Sequence, residues 1–484
     1  MRGGDGNGRA VPYKWIVAGV FVCAQFMDIM DTTIVNVALP GLARSFHAST
    51  ASIEWVVLGY LVALAASIPA SGWLGDRFGT KTVFLGALLL FTGGSALCGQ
   101  SHTLTELVVF RVVQGLGGGM LVPVGMAMMF RAFPPIERAR AATITIIPTV
   151  IAPSLGPVLG GWLVTYQSWR WIFYVNLPVG ALAFVIGVMF LQDYRDPNAG
   201  GFDPFGFIVS GLGLATLLFA LSEGPERGWG STSVLATGAT GLVLLGAVAV
   251  VELRIKTPML ALRLYRERMF RIGNTVFGLM FGTFASVLFL LPLYLQRLRG
   301  LSAFQSGLTT FPQALGLMLM SQLTGRLYHV TGPKRLVTFG LVAMTMSTGL
   351  LAFVGLHTSL WDLRFILFAR GAATAFVSVP LQTTVYANIS PADTGRASAL
   401  YSVQRQVSAA LGVALLATVL IEASGAAGRG AGVGSIGGFH AAFAGSTVLL
   451  VIGFVIALRI RDEDAASTIR SRAGSASPHA ALVE

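Results

Sequence analysis

The sequence predicts an all-α membrane protein of fourteen spans, built as two six-helix bundles with two membrane helices inserted between them. Three observations carry this prediction. Of 484 residues, 54% are hydrophobic and only 11% charged, against about 25% charged in an ordinary soluble domain. Apolar runs of about 20 residues, the length that crosses a bilayer, recur along the whole chain. A loop pattern also repeats about 253 residues apart. With a mean hydropathy of +0.73, there is too little polar surface to cover a soluble body of 51.0 kDa, which excludes a plain soluble enzyme.

The runs lie at roughly 14–38, 53–73, 82–101, 104–128, 139–163, 171–191, 205–222 and 234–253. They continue at roughly 272–295, 305–326, 336–356, 364–387, 397–421 and 441–460. Arg2, Arg9 and Lys14 precede the first run as in a signal peptide, but Asp28 and Asp31 interrupt it and many runs follow. It therefore reads as a span rather than a cleaved leader.

The net charge of +12 comes from 33 Lys and Arg against 21 Asp and Glu. With the N-terminus inside, about 23 of the basic residues fall on the cytoplasmic side and about 7 outside, with Arg111, Arg370 and Arg405 within spans. This bias expects both termini in the cytoplasm of a multi-pass cell-membrane protein. It also removes the basic excess as an argument for a nucleic-acid partner. Cys23 and Cys98 sit in apolar runs without metal-ligand spacing. Neither a metal site nor a cofactor is expected, and no catalytic signature points to an enzyme.

The repeat pairs Gly72-Trp73-Leu74-Gly75-Asp76-Arg77-Phe78-Gly79-Thr80-Lys81 with Gly325-Arg326-Leu327-Tyr328-His329-Val330-Thr331-Gly332-Pro333-Lys334. Gln114-Gly115 and Arg370-Gly371 match at nearly the same spacing. The resulting division is a cytoplasmic N-terminal segment (1–13), an N-terminal six-helix bundle (14–192) and two inserted membrane helices (193–256). A C-terminal six-helix bundle (257–460) and a disordered cytoplasmic tail (461–484) follow.

An ionisable group inside hydrocarbon costs about 2.5–3.5 kcal/mol at a helix centre, so the few present are informative. Only Asp28 and Asp31, among the acids, lie well inside a span, three residues apart on one helix face. Arg111 on the fourth span lies at the depth of Asp31. Two readings of an Asp31–Arg111 pair stand: a protonation site, where burial and the guanidinium pull the carboxyl in opposite directions, or a structural ion pair. Asp28 reads as a second cavity carboxylate or as a polar contact. Arg370 and Arg405, with no acid in a neighbouring span, are expected to face a water-filled cavity. Polar or aromatic groups on spans nominate a cavity wall of Asn36, Trp55, Tyr60, Gln114, Phe311, Gln313, Gln382, Tyr401 and Gln406, each equally readable as packed core, and Arg405 joins this wall.

Met30-Asp31-Thr32-Thr33-Ile34-Val35-Asn36-Val37-Ala38-Leu39-Pro40 closely resembles the first-helix signature of the fourteen-helix drug:proton antiporters of the major facilitator superfamily. Gly72 to Lys81 resembles that superfamily's loop motif, and Arg111-Val112-Val113-Gln114-Gly115-Leu116-Gly117 its fourth-helix motif. Ala152-Pro153-Ser154-Leu155-Gly156-Pro157-Val158-Leu159-Gly160-Gly161 resembles the fifth-helix antiporter motif. Trp169-Arg170-Trp171-Ile172-Phe173 through Asn176, Pro178 and Gly180 resembles the start of helix six. The resemblance implies a major facilitator fold, multidrug efflux of the antibiotic-resistance kind, and protons as the coupling ion. It also implies a cytoplasmic gate at Gly72, Asp76, Arg77, Gly79 and Lys81.

Read physically, Asp76 stands near the N-terminus of the third helix, where a dipole favours a carboxylate. Arg77, Lys81, Arg138 and Arg140 are near enough in sequence to pair with acids there, and a solvated basic loop is the alternative. Pro153 and Pro157 remove backbone donors from the fifth helix, and Gly156, Gly160 and Gly161 let it press on a partner. In the C-terminal half His329 replaces the loop acid and Leu367 stands where Arg111 would be, so coupling is expected in the N-terminal half. The expected protein is a monomer in the lipid bilayer that exports hydrophobic, cationic or neutral small molecules. The alternatives are a dedicated carrier of one metabolite or lipid, and a non-transporting receptor on this fold.

Overall fold

In lipid the backbone has no partner but itself, and apolar runs of about 20 residues meet that demand as helices. In the computed structural model, which describes residues 12–196, 201, 203–254, 260–425 and 435–469, fourteen helices are fifteen residues or longer. They are α1 (Tyr13–Ser45), α2 (Trp55–Phe78), α3 (Thr80–Gln100), α4 (Leu104–Ala132), α5 (Arg138–Tyr166) and α6 (Asn176–Phe190). The inserted pair is α7 (Pro204–Arg227) and α8 (Thr232–Glu252). The rest are α9 (Arg268–Leu293), α10 (Ala303–Thr331), α11 (Pro333–Leu351), α12 (Leu360–Val385), α13 (Thr394–Gly425) and α14 (Ile436–Ala457). No strand occurs among the described residues.

Among the described residues, eleven helices are long and apolar enough to cross a membrane. The long helices outside that set are α5, α10 and α11. Of these, α10 carries Ser306, Thr309, Gln313, Ser321 and Thr324 buried along its length. Large apolar side chains such as Leu89, Met189, Val243, Phe353 and Phe365 stand exposed around the outside, a surface suited to lipid and not to water.

Within the first bundle α2 packs on α4, α3 on α4, and α1 on α5. In the second, α10 and α11 pack on α12, and α9 on α13. The bundles meet where α2 and α4 touch α13 and where α5 touches α10 and α12. The inserted pair lies outside this seam, with α7 against α2 and α13 and α8 against α7.

The halves repeat their close contacts as well as their sequence. A Cβ on Gly115 would stand 2.4 Å from the Tyr60 carbonyl, and one on Gly371 would stand 1.9 Å from the Gln313 carbonyl. Each glycine therefore lets its helix cross a neighbour at backbone distance.

The loop motif is duplicated in the same way. Gly79 and Gly332 have φ of +99° and +80°, which favours glycine, and each precedes the third helix of its half. The Lys81 N–H donates to Asp193 Oδ1 at 3.1 Å and the Lys334 N–H to Asp462 Oδ1 at 2.9 Å. In both halves an acid from the segment after the sixth helix caps the third helix. Asp193→Ala and Asp462→Ala are each expected to cost about 1 kcal/mol of stability, measured as a lower thermal unfolding midpoint.

Asp462 belongs to a short 3₁₀ segment, Asp462–Thr468, which corrects the expectation of disorder from 461 onward. Tyr328 and Thr468 share a buried hydrogen bond at 2.6 Å, Asn388 Nδ2 donates to the Asp464 carbonyl, and the Ser467 hydroxyl donates to the Ala387 carbonyl. Composition suggested disorder because the segment is polar. It is ordered because those polar groups cap and bridge helix ends. Residues 1–11 and 470–484 lie outside the described residues.

Candidate functional site

The first bundle closes around two charges. Arg111 Nη1 donates to Asp31 Oδ2 at 2.5 Å, and the side chains are 1% and 0% exposed. Gln114 binds both partners at 2.8 Å, donating through Nε2 to Asp31 Oδ1 and accepting at Oε1 from Arg111 Nη1. Asn176 Nδ2 donates to Asp31 Oδ1 at 3.2 Å and to Ser95 Oγ at 3.1 Å. Arg111 Nε donates to the Val56 carbonyl at 3.0 Å. A pair taken out of water holds only with further hydrogen bonds around it, and here α2, α4 and α6 supply them.

One turn along α1, Asp28 Oδ1 accepts from the Tyr60 hydroxyl at 2.6 Å. The Tyr60 ring in turn lies 4.1 Å from the Arg111 guanidinium, within cation–π range. Asp28 is thereby joined to the Asp31–Arg111 pair through a single side chain. The Tyr60 hydroxyl leaves no room for a side chain at Gly118, whose Cβ would stand 2.8 Å from it.

A central cavity lies between the halves. Gln25, Met126, Thr145 and Thr149 contribute from the first half, and Phe277, Phe281 and Phe284 from α9. Gln382 on α12 and Tyr401 and Arg405 on α13 complete the polar lining used below.

At one end of the molecule the halves are closed over this cavity. Arg131 Nη2 donates to Asp76 Oδ1 at 2.9 Å, and Arg131 Nε donates to the Pro391 carbonyl across the seam at 3.2 Å. The Tyr194 ring covers the Arg131 guanidinium at 4.0 Å. Arg138 Nη1 donates to the Tyr386 carbonyl at 2.5 Å, and Tyr386 stacks on Phe130 with ring centroids 4.3 Å apart. Gly72 meets the start of α13, where an added Cβ would stand 2.9 Å from the Gly395 carbonyl.

Asp76→Ala is expected to open this end. It leaves Arg131 without its carboxylate and removes a negative charge from the N-terminus of α13. The measurement is thiol labelling of a cysteine at buried Ala397, in a background without Cys23 and Cys98. Labelling should speed up by about tenfold if the closed state loses about 1.4 kcal/mol.

Several sequence-level placements change. Asp76 lies in the last turn of α2 and faces the first turn of α13, not the N-terminus of α3. Its partner is Arg131, whereas Arg77 is exposed, Lys81 Nζ donates to the Val188 carbonyl, and Arg140 lies over the Trp15 ring. Chain proximity favoured the nearer cations; helix packing chose a residue at the end of α4.

On α5, Gly156 and Gly160 press against Thr33 and Ile34 of α1, but Gly161 faces open space. Pro153 is half-buried in the same helix, and the side chain of Pro157 lies outside the described residues. Of the nominated cavity wall, Gln382, Tyr401 and Arg405 line the cavity. Tyr60 and Gln114 instead serve the ion pair. Gln313 accepts from Arg370, while Asn36, Trp55 and Phe311 are exposed. Gln406 is half-buried away from the lining. The cavity phenylalanines carried no distinguishing signal among so many apolar residues.

Residues 21–413 match the Major Facilitator Superfamily. The chain is 38% identical over 409 residues to a Multidrug resistance protein B homolog of Mycobacterium tuberculosis, covering 83% of this chain and 75% of that protein. It is 36% identical over 407 residues to a Putative multidrug resistance protein MdtD of Pectobacterium atrosepticum, covering 84% and 86%. The solved structure of the human organic anion transporter MFSD10 (TETRAN) superposes with a TM-score of 0.66, covering 93% of this chain and 100% of that one at 17% identity, a likeness of fold. With the duplicated bundles, the cavity between them and these relatives in view, the chain is a membrane transporter of the major facilitator superfamily.

Proposed function

We propose that the protein is a proton-coupled antiporter that exports hydrophobic small molecules across the cytoplasmic membrane by alternating access. The observation that carries this reading is the fully buried Asp31–Arg111 pair in the bundle that forms one wall of the cavity. A carboxylate held by three side-chain donors at membrane depth can exchange its hold on them for a proton, which changes the packing of α1 against α4 and α6. In this reading all fourteen long helices span the membrane, both termini are cytoplasmic, and the closed end faces the cytoplasm, where the basic loops gather. The structure then corresponds to a state closed toward the cytoplasm. The monomer carries the complete path and needs no cofactor besides the coupling ion. The names of the relatives favour drug-like substrates.

The test is a proteoliposome with an imposed pH gradient. Substrate movement should follow the gradient, and substrate added alone should move protons the other way. Asp31→Asn, recovered folded, is expected to lose this coupling. Unchanged proton-coupled flux in that variant refutes the assignment.

A further inference from the structure

Among the described residues the central cavity has one charged group in its lining, and that group is a cation. Arg405 projects from α13 into the space between the halves, half-buried, with its guanidinium 6.0 Å from the Phe281 ring. It makes no hydrogen bond or ion pair among the described residues. Among the described residues no carboxylate lines the cavity. The acid whose field reaches Arg405 is Asp28, and one oxygen of that carboxylate is taken by the Tyr60 hydroxyl.

A second cation stands behind the same wall. Arg370 is 0% exposed and is held only by neutral acceptors: Gln313 Oε1 at 3.1 Å, Thr348 Oγ1 at 3.1 Å and the Thr283 carbonyl at 3.2 Å. Its guanidinium lies 5.8 Å from the ring of Phe284, and Thr374, one turn further on α12, is part of the lining. Neutral acceptors satisfy the N–H groups of Arg370 but leave its charge uncompensated. In a low-dielectric surround that charge is felt across the cavity. The second half therefore presents two guanidinium groups, one free and one fixed behind a phenylalanine, beside the aromatic surface of Phe277, Phe281 and Phe284.

We propose that the cavity selects amphipathic organic anions, with the anionic group bound by Arg405 and the aromatic body held against Phe277, Phe281 and Phe284. This departs from the cationic or neutral substrate expected from the sequence, where the buried acids of α1 drew attention. Those acids are both engaged within the first bundle. The free charge at the cavity is on the other half and of the opposite sign. Gln25, whose Oε1 has no hydrogen-bond partner among the described residues, and Gln382 line the same space and are placed to orient the remainder of the ligand. The proposal takes from the transport reading only that this cavity is the substrate site.

The experiment is equilibrium binding to the purified full-length protein in nanodiscs. The probes are three naphthalenes of one shape bearing a carboxylate, a carboxamide or a trimethylammonium group. The carboxylate is expected to bind about tenfold tighter than the carboxamide, the scale of one charge-assisted hydrogen bond, and the ammonium weakest. Arg405→Gln should remove the preference for the carboxylate and leave the carboxamide within about twofold, and Arg405→Lys should keep most of the preference. Tightest binding by the ammonium probe, no saturable carboxylate binding, or an equal loss of all three probes in Arg405→Gln would overturn the proposal. Binding selectivity is read without a gradient, so its failure leaves the Asp31 coupling test standing, and failure of coupling leaves the selectivity standing.

Discussion

Arg111→Gln is expected to be far more damaging than the double variant Arg111→Gln with Asp31→Asn. The single change leaves the Asp31 carboxylate at 0% exposure without its guanidinium. Removing one member of a buried pair typically costs about 3–5 kcal/mol, because the other charge stays desolvated. Gln114 and Asn176 would still donate to Asp31, which lessens the loss without cancelling it. Removing both charges leaves neutral amides that fit the existing network, so most of the lost stability should return. Transport should not return with it, since position 31 can then no longer exchange a proton. The measurements are the thermal unfolding midpoint and the recovery of monodisperse protein for each variant, alongside proton-coupled flux. A double variant no more stable than Arg111→Gln would mean that the two charges are not energetically coupled. A double variant that still moves protons would place coupling elsewhere, with Asp28 as the nearest alternative.

Bulky residues at two glycines should fail in different ways. Gly115→Leu drives a side chain into the Tyr60 carbonyl inside the first bundle, where the Cβ alone would stand at 2.4 Å. The overlap is with backbone, so α2 and α4 must separate, and the Tyr60 and Val56 contacts to Arg111 are lost with that movement. A cost of about 3 kcal/mol or more is expected, in the upper range of overpacking, seen as little or no folded protein. Gly72→Leu strikes the Gly395 carbonyl and the Arg396 Cα, but these belong to the other half. Each bundle can keep its own packing while the seam between α2 and α13 cannot close. Folded protein is therefore expected in near-normal yield with transport reduced by more than about tenfold, as for a two-state element biased by more than about 1.4 kcal/mol. Distances between spin labels at the ends of α2 and α13 would show the separation directly. Normal transport by Gly72→Leu would mean that this contact is not needed in the cycle.

The sequence by itself determined the membrane class, the helices and the Asp28, Asp31 and Arg111 cluster of buried charges. Charges inside apolar runs are expensive and therefore few, so Asp31 and Arg111 could be paired by depth alone. The duplication was legible for a similar reason: Gly79 and Gly332 are needed wherever the chain turns at positive φ, and they recur with Lys81 and Lys334 at a fixed spacing.

Only the tertiary structure decided which residues complete the site. Helices that are apolar on nearly every face do not reveal which face turns inward, because lipid and protein interior are alike to a leucine. Rotation and crossing placed Gln114 and Asn176 on Asp31, gave Asp76 the distant Arg131 rather than Arg77, and turned Asn36 and Phe311 away from the cavity. The same packing docked Asp462 on a helix end that its polar neighbourhood did not foretell. The fold class followed from local cost, one residue at a time. The partners followed from helix orientation, which depends on the whole assembly.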